Sequence, residues 1–375
     1  MKRTGFLTAV VGALSGALWA LSACSDSAAK KDTSSPVDGG ADGDTFSAGE
    51  ELRIVVPESG RVHVKLASPA SVVAPADPKS DSSWDLAFEG LDVFTNSGPS
   101  GNGGRTAFGP LDPIIFLDDV APTVPFQAAD TTGGAFIRWW FYSGPPDHAL
   151  YTRYHVYGIQ DGAKQYKVQV LNYNGLRDGA PVQALYRVRW SEITAAGPGP
   201  VKDVAGLDGT AGGLQGKPDA KSECLDLGSS ARMMFTPAEA RASNAWHLCF
   251  RRESISVNGE VGGPRGVGAV DLDADKSATD KLSDLVNKTP ESEQARYDGV
   301  DGKALAGQPF RGDRVVSAFG TLWLERGASP PAPSKSGWVV FGANSTSKFL
   351  VGFARFEGAT AKTPGTVVMR VKTVK

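Results

Sequence analysis

Trp84-Asp85-Leu86-Ala87-Phe88, with Asp92-Val93-Phe94-Thr95-Asn96 behind it, is answered by Trp246-His247-Leu248-Cys249-Phe250 and Ser254-Ile255-Ser256-Val257-Asn258 at a constant spacing of 162 residues. A repeat at fixed spacing signals two copies of one structural unit. Upstream, Ala74-Pro75 matches Thr236-Pro237. Downstream, Val156-Tyr157-Gly158 is set against Val340-Phe341-Gly342, residues 166–170 against 349–353, and residues 186–189 against 369–372. Order and apolar character agree over 50–193 and 214–375. Each segment is the size of an ordinary domain, able to bury its own core. The sequence thus predicts two tandem domains joined by a linker over 194–213, where Gly and Pro gather.

Strand patterns dominate both copies. Residues 61–66, 166–170 and 184–190 alternate apolar and polar, as a half-buried strand does. Asp161-Gly162 sits between two such runs and reads as a hairpin turn. The 45 glycines and 24 prolines suit many turns. Only residues 277–296 carry a helical stripe, through Leu282, Leu285 and Val286. The expected class is mainly β: two tandem antiparallel all-β domains after a lipoprotein signal and a disordered tether.

That signal is read from Met1-Lys2-Arg3, an apolar stretch over 6–21, and the ending Leu21-Ser22-Ala23-Cys24. The apolar core is short and followed by small residues, as in an export signal rather than a membrane span. The ending looks like a bacterial lipobox, so residues 1–24 are expected to be a signal whose Cys24 receives the acyl chains. Residues 25–49 are poor in anything to bury and read as a flexible tether. The acidic run 38–44 belongs to that tether rather than to a calcium loop. Ser25 is not the aspartate of an inner-membrane retention signal, which favours the outer membrane, on its periplasmic or cell-surface face.

Net charge is −2 with both signs interspersed. This lacks the basic stripe of a nucleic-acid binder. With Cys24 given to lipid, Cys224 and Cys249 remain, both in the second copy. Their counterparts by spacing are Val62 and Ala87. Cysteines absent together in one copy, on an exported chain, point to a bridge between neighbouring strands.

Trp84-Asp85-Leu86-Ala87-Phe88, then Thr95-Asn96-Ser97-Gly98 and the glycine-rich residues 99–105, resembles the HmuY family of bacterial haem-binding lipoproteins. Tyr154-His155-Val156-Tyr157, Asp161-Gly162 and residues 166–173 look like that family's C-terminal half. The second copy keeps the Trp, Phe and Asn anchors but reads Val257-Asn258-Gly259. The resemblance implies an all-β outer-membrane lipoprotein in which two axial histidines clasp haem, passing it to an outer-membrane receptor. Haem iron needs strong axial donors in an apolar slot, with cations near the propionates. His148 and His155 are the candidate donors, beside the aromatic run 139–142, and Arg138 and Arg153 the candidate propionate partners. No histidine follows His155 in the first copy, and the competing reading is a turn histidine at 148 and a strand histidine at 155.

Enzyme motifs fail at defining positions. Residues 98–102 lack the last glycine of a nucleophile elbow. Gly216-Lys217 runs into Pro218 instead of a phosphate-binding loop's Ser or Thr. Asp271-Leu272-Asp273-Ala274-Asp275 opens like an EF-hand, but Lys276 replaces the glycine. The chain is expected to be a lipid-anchored, non-catalytic surface binding protein, with haem or a porphyrin as ligand. The alternative is a cell-surface structural or interaction lipoprotein that keeps the fold without haem.

Overall fold

The computed structural model describes residues 46, 48–212, 217 and 219–375. Cys24, the signal and the tether up to residue 45 lie outside the described residues. The protein is mainly β. The first copy opens with β1 (Glu50–Val55), β2 (Val62–Lys65), β3 (Ser71–Val73), β4 (Leu86–Glu89), β5 (Asp92–Thr95) and β6 (Thr106–Leu111). It continues through β7 (Thr131–Gly133), β8 (Trp140–Tyr142) and β9 (Leu150–Thr152). Three longer strands close it: β10 (Val156–Asp161), β11 (Lys164–Arg177) and β12 (Ala180–Thr194).

After β13 (Gly197–Pro198) and β14 (Lys202–Asp208), the second copy runs through β15 (Ser222–Leu225), β16 (Arg232–Phe235), β17 (Leu248–Arg251), β18 (Ser254–Val257) and β19 (Gly268–Asp271). It ends with β20 (Arg314–Val316), β21 (Gly337–Phe341), β22 (Lys348–Glu357) and β23 (Thr366–Val374).

Each copy's tryptophan segment makes a four-stranded sheet of its own, ordered β3-β2-β4-β5 and β16-β15-β17-β18. The other strands do not stay within their copy. A five-stranded sheet runs β1-β23-β22-β21-β6, joining the start of the first copy to the end of the second. Reciprocally, β10, β11 and β12 of the first copy take β19 beside β10 and β14 beside β12. The chain therefore folds as two bodies with exchanged halves, residues 46–130 with 314–375 and residues 131–313. Neither coincides with the expected 50–193 or 214–375. Because the two copies carry equivalent strands, the repeat cannot say which copy a strand will pair with; the course of the connections decides it.

The exchange reaches single side chains. Trp139 Nε1 donates to Glu253 O at 2.7 Å, and Trp323 Nε1 donates to Leu91 O at 3.2 Å. Leu91 and Glu253 occupy the same place in the two copies. The chain crosses between bodies at β7 and β20, which pair with each other from Gly133–Arg314 to Thr131–Val316. Each body has its own core. One gathers Leu86, Phe88, Trp323, Trp338 and Phe353, and the other Trp139, Tyr186, Trp190, Leu248 and Phe250. Both draw on both copies, and burying each such side chain is worth roughly 1.5–3 kcal/mol.

Two local expectations change. The linker at 194–213 contains β13 and β14, because Val204 and Leu207 give an apolar edge that packs on β12; Leu207 is fully buried. The helix expected over 277–296 is broken into a 3-10 turn at Ala274–Ala278 and short helices at Leu282–Leu285 and Gln294–Asp298. Pro290 disfavours helical backbone at Thr289, which accounts for the second break.

Candidate functional site

His148 and His155 do not form a clasp. His148 is exposed on the loop between β8 and β9, in left-handed backbone at φ 49°, with Nδ1 against the Tyr142 hydroxyl. His155 is buried at the start of β10, its Nδ1 2.9 Å from Asp271 Oδ2 and its Nε2 3.6 Å from Asp280 Oδ2. Arg153 pairs with the same Asp280 and donates to Trp140 O at 3.0 Å. Arg138 is exposed. The acidic run that opens like a calcium loop is occupied internally, with Arg296 and Lys276 both on Asp273. Ligation by His155 would require a buried ring to leave its carboxylate, so these residues do not fit a haem held between two histidines. No group of three or more His, Cys, Asp or Glu able to hold a metal ion occurs among the described residues.

Cys224 and Cys249 face each other across β15 and β17 and are joined as a disulfide, their Cα atoms 3.9 Å apart. The register corrects their counterparts. Leu225 pairs with Leu248 as Val64 pairs with Leu86, so His63, not Val62, stands where Cys224 stands. His63 lies edge-on to Trp84 with centroids 4.9 Å apart, and burial, then Arg61 nearby, lowers its pKa. The anchors shared by both copies serve the fold. Asn96 Nδ2 donates to Trp84 O and Asn258 Nδ2 to Trp246 O, both at 2.9 Å. Asn96 Oδ1 accepts from Gly103 N, and Asn258 Oδ1 from Arg265 N.

The two bodies differ at one place when they are superposed by register. In the first body, Asp85 Oδ2 accepts from Leu66 N at 2.7 Å while Oδ1 takes Arg105 Nε. Beside this pair lies a cleft of about 330 Å³. Lys65, Asp85 and Arg105 form one wall, and Thr346 and Ser347, from the turn between β21 and β22, with Phe349 of β22, form the other. In the second body His247 replaces Asp85, and its Nδ1 accepts from Leu227 N at 3.1 Å. His247 is fully buried; burial, then the Arg265 charge, lowers its pKa. Asp226 replaces Lys65. There Arg265 spans two carboxylates, Asp226 at 2.6 Å and Asp161 at 2.9 Å. Burial pushes the Asp226 pKa up, but hydrogen bonds from Ser229 and Arg265 outweigh it and bring it down to about 2. Asp161 Oδ2 also lies 3.2 Å from His247 Nε2, without the alignment of a hydrogen bond.

Asp161 arrives from the tight β10–β11 turn, where Gly162 takes φ 57°. The β21–β22 turn is longer and carries no acidic residue over 342–347. The second body fills this place with its own carboxylate, and the first has a cleft there. The signal for this difference in the sequence is the change from Lys65 and Asp85 to Asp226 and His247 within otherwise matching segments. No protein-family model matches the chain, and no curated protein matches it in sequence.

Proposed function

We propose that the protein is a lipid-anchored, non-catalytic surface binding protein that keeps its double β framework without clasping haem between two histidines. The observation that carries this reading is the burial of His155 against Asp271 and Asp280, while His148 stands exposed on another element. Support for the anchor comes from the lipobox-like residues 21–24, and for the surface role from the Trp84 segment and its likeness to haem-binding lipoproteins. Haem titration of the purified protein, followed at the Soret band beside His148→Ala, tests it. The expected result is a featureless, unsaturable rise that is the same in both proteins. A sharp band saturating near one haem and lost in the variant would overturn the reading.

A further inference from the structure

We infer that the open cleft of the first body binds a small hydroxylated carboxylate, whose carboxylate takes the place that Asp161 fills in the second body. This deepens the reading of the chain as a binding protein, on which it rests, by naming a site and a ligand class. The correspondence follows from register. Ile159 pairs with Tyr166 and Ala269, as Val340 pairs with Phe349 and Ala107. Two residues further on, Asp161 therefore answers Gly342 (the match of Val156 to Val340 by sequence is displaced by three residues).

Where the second body sets a carboxylate on Arg265, whose own counterpart by register is Gly103, the first presents Gly342, a cleft of about 330 Å³ and, two residues beyond Gly103, Arg105. Arg105 is engaged by Asp85, Gly103 O and Ser82 O, which leaves part of its five-donor guanidinium over. Exchanging Asp226 for Lys65 reverses a charge at the mouth, and Lys65 is exposed with no ion-pair partner among the described residues. The second body thus neutralises Arg265 with two carboxylates; the first neutralises Arg105 with Asp85 but keeps the charge of Lys65, which a bound anion would satisfy. Exposed hydroxyls of Ser82, Ser83, Thr346 and Ser347 around the cleft suit a ligand with hydroxyl groups, and the volume is at the small end of ligand sites, roughly 300 Å³.

The probe is D-glucuronate, followed by saturation-transfer NMR on the purified protein, with D-glucose and inorganic phosphate as comparisons. Glucuronate is expected to bind and glucose not. Lys65→Asp, which copies the second body, should weaken binding at least tenfold with the melting temperature unchanged. Gly342→Asp should abolish it by supplying the missing carboxylate; an added Cβ there meets the Ser347 side chain at 3.1 Å, so Lys65→Asp carries the test if that variant misfolds. Equal binding of glucose, undiminished binding in Lys65→Asp, no binding at all, or preference for phosphate would each overturn the assignment. A His148-dependent Soret band would sink the functional reading above without touching these outcomes, so the two failures are distinguishable.

Discussion

Asp130 and Asp313 hold the same station in the two copies, each at the residue before the chain crosses between bodies, yet their surroundings differ. Asp130 is buried but accepts from Thr95 N, Thr95 Oγ1, Ser100 Oγ and Ala318 N. Asp313 accepts from Val257 N, while its Oδ1 lies buried without a partner, 2.7 Å from where a Cβ at Gly134 would be. Burial pushes the Asp313 carboxyl up to about 7. Its folded pKa stands above the unfolded value of 3.8, so the folded state holds a proton that the unfolded state has lost between these pH values. Its contribution to stability must therefore fall as pH rises from about 4 to about 7. Asp313→Asn cannot titrate and removes that loss. The variant should gain on the parent by about 2 °C or more in melting temperature at pH 8 relative to pH 4. A difference between the two that does not change with pH would refute the assignment.

Among the elements, β2 and β15 show how the same strand can be pinned in two ways. The bridge between Cys224 and Cys249 ties β15 to β17 across a separation of 25 residues. At the matching pair His63–Ala87 the first body has a buried imidazole whose Nε2 lacks a partner. Writing His63→Cys with Ala87→Cys should create a second bridge, seen as two fewer free thiols by mass spectrometry. The expected gain is roughly 2–4 kcal/mol in denaturant unfolding. Persistently free thiols under oxidising conditions would mean the register is not as described. Elements of this kind were legible in the sequence: the Trp84 and Trp246 segments, the Asp161-Gly162 hairpin and the alternation along β11 and β12 are local patterns, and local patterns determine local structure. What escaped was relational. Val204 and Leu207 looked like linker because their glycine-rich neighbours dominate composition, and the partner strand that buries them lies elsewhere. The cleft escaped for the same reason, since Lys65 comes from β2 of one sheet, while Arg105 meets the 342–347 turn through the pairing of β6 with β21 in another.

At the scale of the whole molecule, exchange makes the two copies mutually dependent. The connection at Pro200–Val201 is exposed, and residues on either side of it contribute strands to both bodies. A protease site inserted there should yield two fragments that still elute together in size-exclusion chromatography and separate only in denaturant. Fragments that part under native conditions would show that the copies fold apart. The same interlacing gives the two bodies unequal freedom to change. In a dimer of identical chains every substitution appears twice. Here one chain writes each station separately, so the position that is Lys65 in one body is Asp226 in the other, and the position that is His63 in one is Cys224 in the other. Carrying both stations in one chain releases each from its twin, so one body can change while the other keeps the common frame.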